Sequence, residues 1–509
     1  MPTAVSFRVM IDDYIATVDS LRSLLRNVAP EISQRERESM TLQGILKRLN
    51  VGEAHAAKIE AAWDIERARI VGEFRAGDAE PHLTDVMASL DSLPQEAKDE
   101  ILEQLASREA MFTVPVLSAF PDGIALGEFV RRTRSLARPI STELFNRFIL
   151  TSAFSSFEGL VYAMVENYYS AKHEEVVKGS SEAEFSLSDL MAYETLEDAL
   201  EEAVQKRIEN FLFKGFSSWA RWWQSELSVN WQAYAPEWSL LLEALERRHC
   251  VTHNSARATR KYLRSVPESE RDSDLSVGDL LRTDPRYLAR VLDDLLVLGC
   301  MVAFETWRRV ESPIDAQAFG SSVVAASFEM LQQERWKASS DFCSFALKHL
   351  GLADGEKLLA LCNRWIAEKY RANSEIDLRE EVSAWHVGHL SNEFSVARAA
   401  LLDDFDALPG LVRVAVASGD IAVSNLRSWP LFRSFRETDG FLPLLTELEE
   451  DLEPLNLVVR ADDEQQGEKE GTEDLTNGRP AKEVEECEGK ASSHDEGAPS
   501  GPLSSENGE

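Results

Sequence analysis

Apolar residues recur at i, i+3 and i+4 over most of the chain, and short polar runs interrupt them. Before residue 135 this spacing predicts helices over Phe7 to Val28, Leu42 to Leu49, Glu53 to Phe74 and Gln95 to Ser107, with stops at Pro30, Gly77, Pro81 and Pro94. The stretch Met111 to Phe120, with β-branched residues and Pro115, reads as extended, a linker packed on helices and not a sheet.

From Ile140 the periodic signal strengthens. Leu144, Phe145, Phe148, Ile149, Ala153, Phe154, Phe157, Leu160, Val161 and Met164 leave a helix apolar around most of its circumference, which predicts a central position. Glu158 sits within that run, where a carboxylate needs either water or a cation. After a polar loop at Lys178 to Glu184 come Leu187 to Phe216, then Trp219, Trp222, Trp223, Trp231 and Trp238, then helices Trp238 to Arg248 and Arg286 to Arg309. Aromatic clusters can stack nucleobases, but at helical spacing they are more often core, and that reading is adopted. From residue 325 shorter helices with small residues at their crossings follow: Trp336 to Leu350, Glu356 to Tyr370, Leu378 to Leu390, Ser395 to Asp403, Leu408 to Ala417 and Val423 to Ser428. In paired form they resemble degenerate tetratricopeptide hairpins, a platform for a protein partner. The expected class is all-α: an N-terminal helical region (1–135), a bundle (138–312), helical hairpins (325–455) and a disordered acidic tail (461–509).

Charge changes the picture. The 509 residues carry a formal charge of -34, which excludes broad, non-specific nucleic-acid binding, and the tail from Ala461 contributes 15 acidic against 4 basic residues. The five cysteines are widely spaced and form no C-x-x-C pair, so neither a disulfide framework nor a zinc knuckle is expected and a reducing cytoplasm fits. Asp12 and Asp13 arrive before any leader-like apolar run. The longest such run, Leu295 to Phe304, is about half of the ~20 residues a membrane span needs, so no membrane insertion is expected.

Against this acidity stands one basic island. From Glu246 to Arg264 six Arg or Lys residues (Arg247, Arg248, Arg257, Arg260, Lys261, Arg264) face one Glu, a local charge of about +5 suited to holding an anion. Within it Arg248 and His253 stand four residues apart, with His249 after the Arg and Asn254 after the His. Histidine can take and give a proton near neutrality, and arginine offers a charged fork to phosphate oxygens. His249 and His253 at i and i+4 lack a further ligand at metal spacing, as do His386 and His389, so neither metal nor cofactor is expected.

With four to six intervening residues allowed, the spacing alone occurs three more times, at Arg48 with His55, Arg75 with His82 and Arg379 with His386. The context singles out Arg248. The apolar helix Leu241 to Leu245 running into Arg248-x4-His253-Asn254, Tyr262 downstream, the Ala153 to Leu160 helix with its Glu158, and the closing helix Asp284 to Leu298 together resemble the HEPN family, helical bundles with an R-x4-6-H motif. The resemblance covers roughly 138 to 312, and departs from it at Ser255 and Ala256, where a Gly often follows the His-Asn pair. It implies a homodimer whose two motifs share one cleft and cut RNA without a metal, in a bacterial defence or toxin system. Arg248 and His253 would be catalytic, and Arg247, His249, Asn254, Glu158 and Tyr262 substrate-binding or supporting. The alternative is a non-catalytic HEPN scaffold for dimerisation or RNA binding.

Overall fold

The structure is a computed structural model, which describes residues 5–49, 51–76, 95–120, 129, 141–172, 193–271, 274–372, 374 and 376–450. The expected tail from 461, the polar loop 178–184 and the stops at Gly77, Pro81 and Pro94 lie outside them. The chain divides into two units, Met1–Phe441 and Leu442–Glu509. Of the second, residues 442–450 are described, and they are helical.

The fold is all-α. The helices are α1 (Phe7–Met40), α2 (Leu42–Arg48), α3 (Glu53–Ala76), α4 (Gln95–Ala110), α5 (Val114–Ser118), α6 (Ser141–Ala171), α7 (Leu196–Phe213), α8 (Phe216–Leu227), α9 (Trp231–Tyr234), α10 (Trp238–His253), α11 (Arg260–Ser265) and α12 (Pro285–Val310). Beyond them lie α13 (Ala316–Gln332), α14 (Trp336–His349), α15 (Asp354–Tyr370), α16 (Leu378–Ser383), α17 (Asn392–Leu401), α18 (Leu408–Ala417), α19 (Val423–Ser428) and α20 (Arg433–Arg436). The only β pairing among the described residues is an isolated bridge between Arg257 and Leu280.

Three local expectations change. The stop at Pro30 is overrun, because α1 continues to Met40 with Pro30 inside it. A proline removes one i→i−4 bond, which a helix this long absorbs. Residues 111–120 are not extended: Thr113 caps α5 and Pro115 falls in its first turn, where the missing N–H has no partner to lose. Helix α16 ends at Ser383, short of the expected Leu390.

Helix α6 is central, as its all-round apolar pattern predicts, and packs against α1, α7, α10 and α12. Its segment Thr142–Ala171 is long and apolar enough to cross a membrane, but half of its most apolar window is buried within the protein. Burial on several sides accounts for the composition. The tryptophans Trp219, Trp223 and Trp231 are core, and Trp223 Nε1 donates to Thr306 Oγ1 at 2.8 Å.

The expected boundaries near 135 and 312–325 do not divide this core. Phe7, Ile11, Tyr14 and Val18 of α1, and Phe319, Val323, Phe342 and Phe345 of α13 and α14, belong to the same apolar cluster as α6 and α12. The Tyr14 hydroxyl donates to the Leu295 carbonyl at 2.7 Å, and the Tyr14 ring lies so close to α12 that a Cβ on Gly299 would stand 2.4 Å from it. The Arg335 guanidinium, almost wholly buried, binds Asp19 of α1 at 2.7 Å and Asp293 of α12 at 2.9 Å. Separate small cores join α2, α3 and α5, and α3 with α4. Towards the C-terminus neighbouring helices pair, α14 with α15 and α17 with α18.

Two outcomes are expected. Gly299→Ala forces α1 off α12 and lowers unfolding free energy by about 2 kcal/mol, the scale of overpacking, measured by urea denaturation. Asp294 is buried with its Oδ2 unpartnered, and burial, then Glu237, Asp293 and Asp341 against the opposing pull of Lys337, pushes its carboxyl from 3.8 up to about 7. A folded-state pKa above the unfolded one gives stability that is complete below pH 3.8 and lost as pH rises through 7. Asp294→Asn is therefore expected to be more stable than wild type at pH 8, with the gain shrinking towards pH 4 in the same assay.

Candidate functional site

Helix α10 carries the Arg-His stretch. Leu240, Leu241 and Ala244 bury one side of it against the bundle, and His249, His253 and Asn254 emerge at its C-terminal end, all three exposed. The two imidazoles, one turn apart, have ring centroids 4.8 Å apart.

The helix ends in an unusual turn. Ser255 and Ala256 have φ of 53° and 61°, the left-handed region that costs a residue with a Cβ roughly 1–2 kcal/mol. These are the two positions where the resemblance leads one to expect Gly. The backbone nonetheless closes, with the amides of Asn254 and Ala256 both donating to the Cys250 carbonyl at 2.9 and 3.0 Å. The chain then pairs briefly with 278–281, the amides of Ala258 and Leu281 donating to Asp279 and Ala256 carbonyls at 2.8 Å each. Beneath this turn Cys250, Ala258, Tyr262, Val266 and Leu281 form a small core of their own.

A buried carboxylate anchors the arrangement. Glu243 is almost wholly inaccessible, and accepts from Arg247 Nε at 2.8 Å, Tyr262 Oη at 2.5 Å and Tyr287 Oη at 2.6 Å. Those donors come from α10, α11 and α12. The Arg247 guanidinium also lies over the Tyr287 ring, 4.7 Å from its centroid, and donates to the Arg282 carbonyl. Burial, and then the Glu243 charge, push the Tyr262 phenol above its ordinary range, so it stays a donor. Arg247 and Tyr262 are thus committed to Glu243 and do not line the cleft that Arg248 and Glu158 share.

Arg248 points the other way. Its Nη2 contacts both carboxylate oxygens of Glu158 on α6, at 3.3 and 3.4 Å, and its Nε is buried with no hydrogen-bond partner among the described residues. Glu158 therefore faces the basic stretch. The two residues line a cleft of about 860 Å³ together with His249, His253, Lys261, Glu246 and Glu209 on its polar side. Phe154, Phe157, Leu212, Phe213, Phe216 and Trp219 form the apolar side. The wall turns from α7 into α8 at Gly215, whose φ of 77° suits glycine. His249 is held below its ordinary pKa by burial, then by Lys261 and His253, which favours the neutral imidazole.

The expected concentration of free positive charge is not what the fold delivers. Arg247 pairs with Glu243, Arg248 with Glu158, and Lys261 with Glu246 at 2.9 Å. Arg257, Arg260 and Arg264 form no ion pair among the described residues. The acidic partners come from neighbouring turns and from α6, ninety positions upstream, so half of the island's cations stand in ion pairs.

Of the residues picked from sequence, the cleft brings together Arg248, His253, His249 and Glu158. It leaves out Arg247 and Tyr262, and Asn254 serves as the exposed residue closing α10. Sequence reasoning missed Glu243, although its position four residues before Arg247 was a legible pairing signal. It also missed Glu209, Phe213 and Trp219 as cleft residues, since only the crossing of α7 and α8 with α10 puts them there. No family model, curated protein or solved structure matches this chain.

The strained turn gives a direct expectation. Ser255→Gly, at an exposed position, relieves the left-handed backbone and raises unfolding free energy by about 1 kcal/mol, read by urea denaturation.

Proposed function

We propose that the chain is a metal-independent endoribonuclease of HEPN type, working through Arg248 and His253. The observation that carries this reading is that these two residues, chosen by spacing, line one cleft with a second histidine, a lysine and an aromatic wall. Such a cleft offers cations to a phosphodiester and flat apolar surface to its bases.

The chemistry is an internal transfer. The ribose 2'-hydroxyl attacks the adjacent phosphorus, the P–O2' bond forms and the P–O5' bond breaks, leaving a 2',3'-cyclic phosphate and a 5'-hydroxyl. One imidazole takes the 2'-hydroxyl proton and a protonated one returns a proton to the departing 5'-oxygen. His249, biased to the neutral form, suits the first task, and His253 or its copy in a homodimer suits the second. Arg248 stabilises the charge on the phosphorane through its guanidinium, whose Nη2 Glu158 holds in place. A two-fold dimer would double these groups, and the C-terminal helix pairs would serve as the surface for a protein partner, in a cytoplasmic defence or toxin role.

A second reading is favoured by one observation. Arg248 and Lys261 are already paired with carboxylates, so the cleft has little uncompensated positive charge. A non-catalytic HEPN scaffold that dimerises or binds RNA would need no more than that.

Purified protein incubated with tRNA and mRNA in EDTA separates the two. The nuclease reading expects cleavage with cyclic-phosphate ends, reduced about 10²- to 10⁴-fold in Arg248→Ala and in His253→Ala. Equal background in wild type and both variants leaves the scaffold reading.

A further inference from the structure

We infer that the cleft selects guanine, with Phe213 supporting the ring and Glu209 reading its edge. The inference rests on the reading of this cleft as an RNA site in one respect, that its ligand is a nucleotide.

Phe213 is the last residue of α7 and is 89% exposed while lining the cleft. Its side chain contributes almost nothing to the core, so packing does not explain a phenylalanine there. A flat ring at the mouth of a cleft that also presents phosphate-binding groups is suited to stacking a base, which any base permits.

Selectivity comes from the turn before it. Glu209 precedes Phe213 by four residues on α7, so the two side chains share one helix face, about 5–6 Å apart at Cβ. Both line the same cleft. Of the cleft carboxylates, Glu158 holds Arg248 and Glu246 holds Lys261, whereas Glu209 is exposed and forms no hydrogen bond or ion pair among the described residues. An ionised carboxylate only accepts, through two neighbouring oxygens. The base that answers it is guanine, whose Watson–Crick edge sets N1–H and N2–H side by side. Adenine and cytosine each place an acceptor next to their amino group, and uracil flanks its single N–H with two carbonyls, so each would bring a lone pair against the carboxylate. With the base on Phe213 and its edge at Glu209, the phosphate falls to the cationic side, which Arg248 and Lys261 line. The volume of about 860 Å³ lies within the roughly 300–1,000 Å³ usual for small-ligand clefts.

Binding separates this from catalysis. The full chain is titrated calorimetrically with the 3'-monophosphates of guanosine, adenosine, cytidine and uridine, and with inorganic phosphate. Wild type is expected to bind the guanosine nucleotide about tenfold or more tighter than the other three. Glu209→Gln, whose amide presents one acceptor and one donor, should bring the four within about twofold of each other without altering the phosphate affinity. Phe213→Ala should weaken all four by about tenfold and leave phosphate alone. Both positions are exposed, so unchanged circular dichroism is expected. Equal affinities in wild type, no nucleotide binding, or a guanine preference that survives Glu209→Gln overturns the inference. Cleavage at all four nucleotides that Arg248→Ala abolishes would keep the nuclease reading and discard guanine selection. Glu209-dependent guanosine binding without cleavage of any RNA would do the reverse.

Discussion

Helix α6 is apolar on nearly every side, and that single fact constrains the rest of the molecule. Over about 45 Å of helix no one neighbour can cover such a surface, so α1, α7, α10 and α12 must all be drawn onto it. The covering helices are held in register by specific polar contacts, among them the Tyr14 hydroxyl on the Leu295 carbonyl and the Arg335 guanidinium between Asp19 and Asp293. A buried guanidinium flanked by two carboxylates adds less to stability than to specificity, because a shifted packing would leave its charge unpaired. The cleft opens where α6 is not fully covered, between α7, the start of α8 and the end of α10.

Glu243 plays the corresponding role one layer out. A buried carboxylate must be fully hydrogen-bonded, and its three donors arrive from α10, α11 and α12. This fixes the end of α10 and the start of α11 relative to the bundle, so that the strained Ser255-Ala256 turn has no freedom to relax. His249, His253 and Lys261 are then presented to the cleft by a rigid frame, even though they reach the surface. Arg247 and Arg248, adjacent in sequence, are divided between these two tasks: one secures the frame and the other faces the cleft. A helix sends neighbouring side chains about 100° apart, which is all the division requires.

The proposed chemistry draws on that division. Phosphodiester cleavage without a metal would need proton transfer at two oxygens and charge stabilisation at the phosphorus between them, and the cleft gathers two imidazoles and a guanidinium in one place. Its charge balance is closer to neutral than the sequence suggested, so any anion there competes with Glu158 and Glu246 for the cations. Such competition favours a ligand with further points of attachment, and the aromatic wall supplies them.

Much of this was legible in the chain itself, wherever the determinant is local. Period 3.6 gave the all-α class, the central helix from Ile140 and the tryptophans as core, because amphipathicity is written within a few turns. The Arg-His spacing and the expectation that Glu158 needs either water or a cation were also local statements about charge. Local statements about element ends failed at Pro30, at 111–120 and after Ser383, and the other failures concerned tertiary partners. Nothing near Pro30 says that a helix of this length tolerates the loss of one bond. No spacing says that α1 joins a core whose other members run from Ile149 to Ala360, that Tyr262 turns to a buried Glu243, or that Glu209 and Phe213 share a cleft with His253. Sequence by itself determined which faces had to be covered and which side chains could do chemistry. Only the tertiary structure decided which of those side chains meet, because a contact between distant segments depends on the packing of every helix between them.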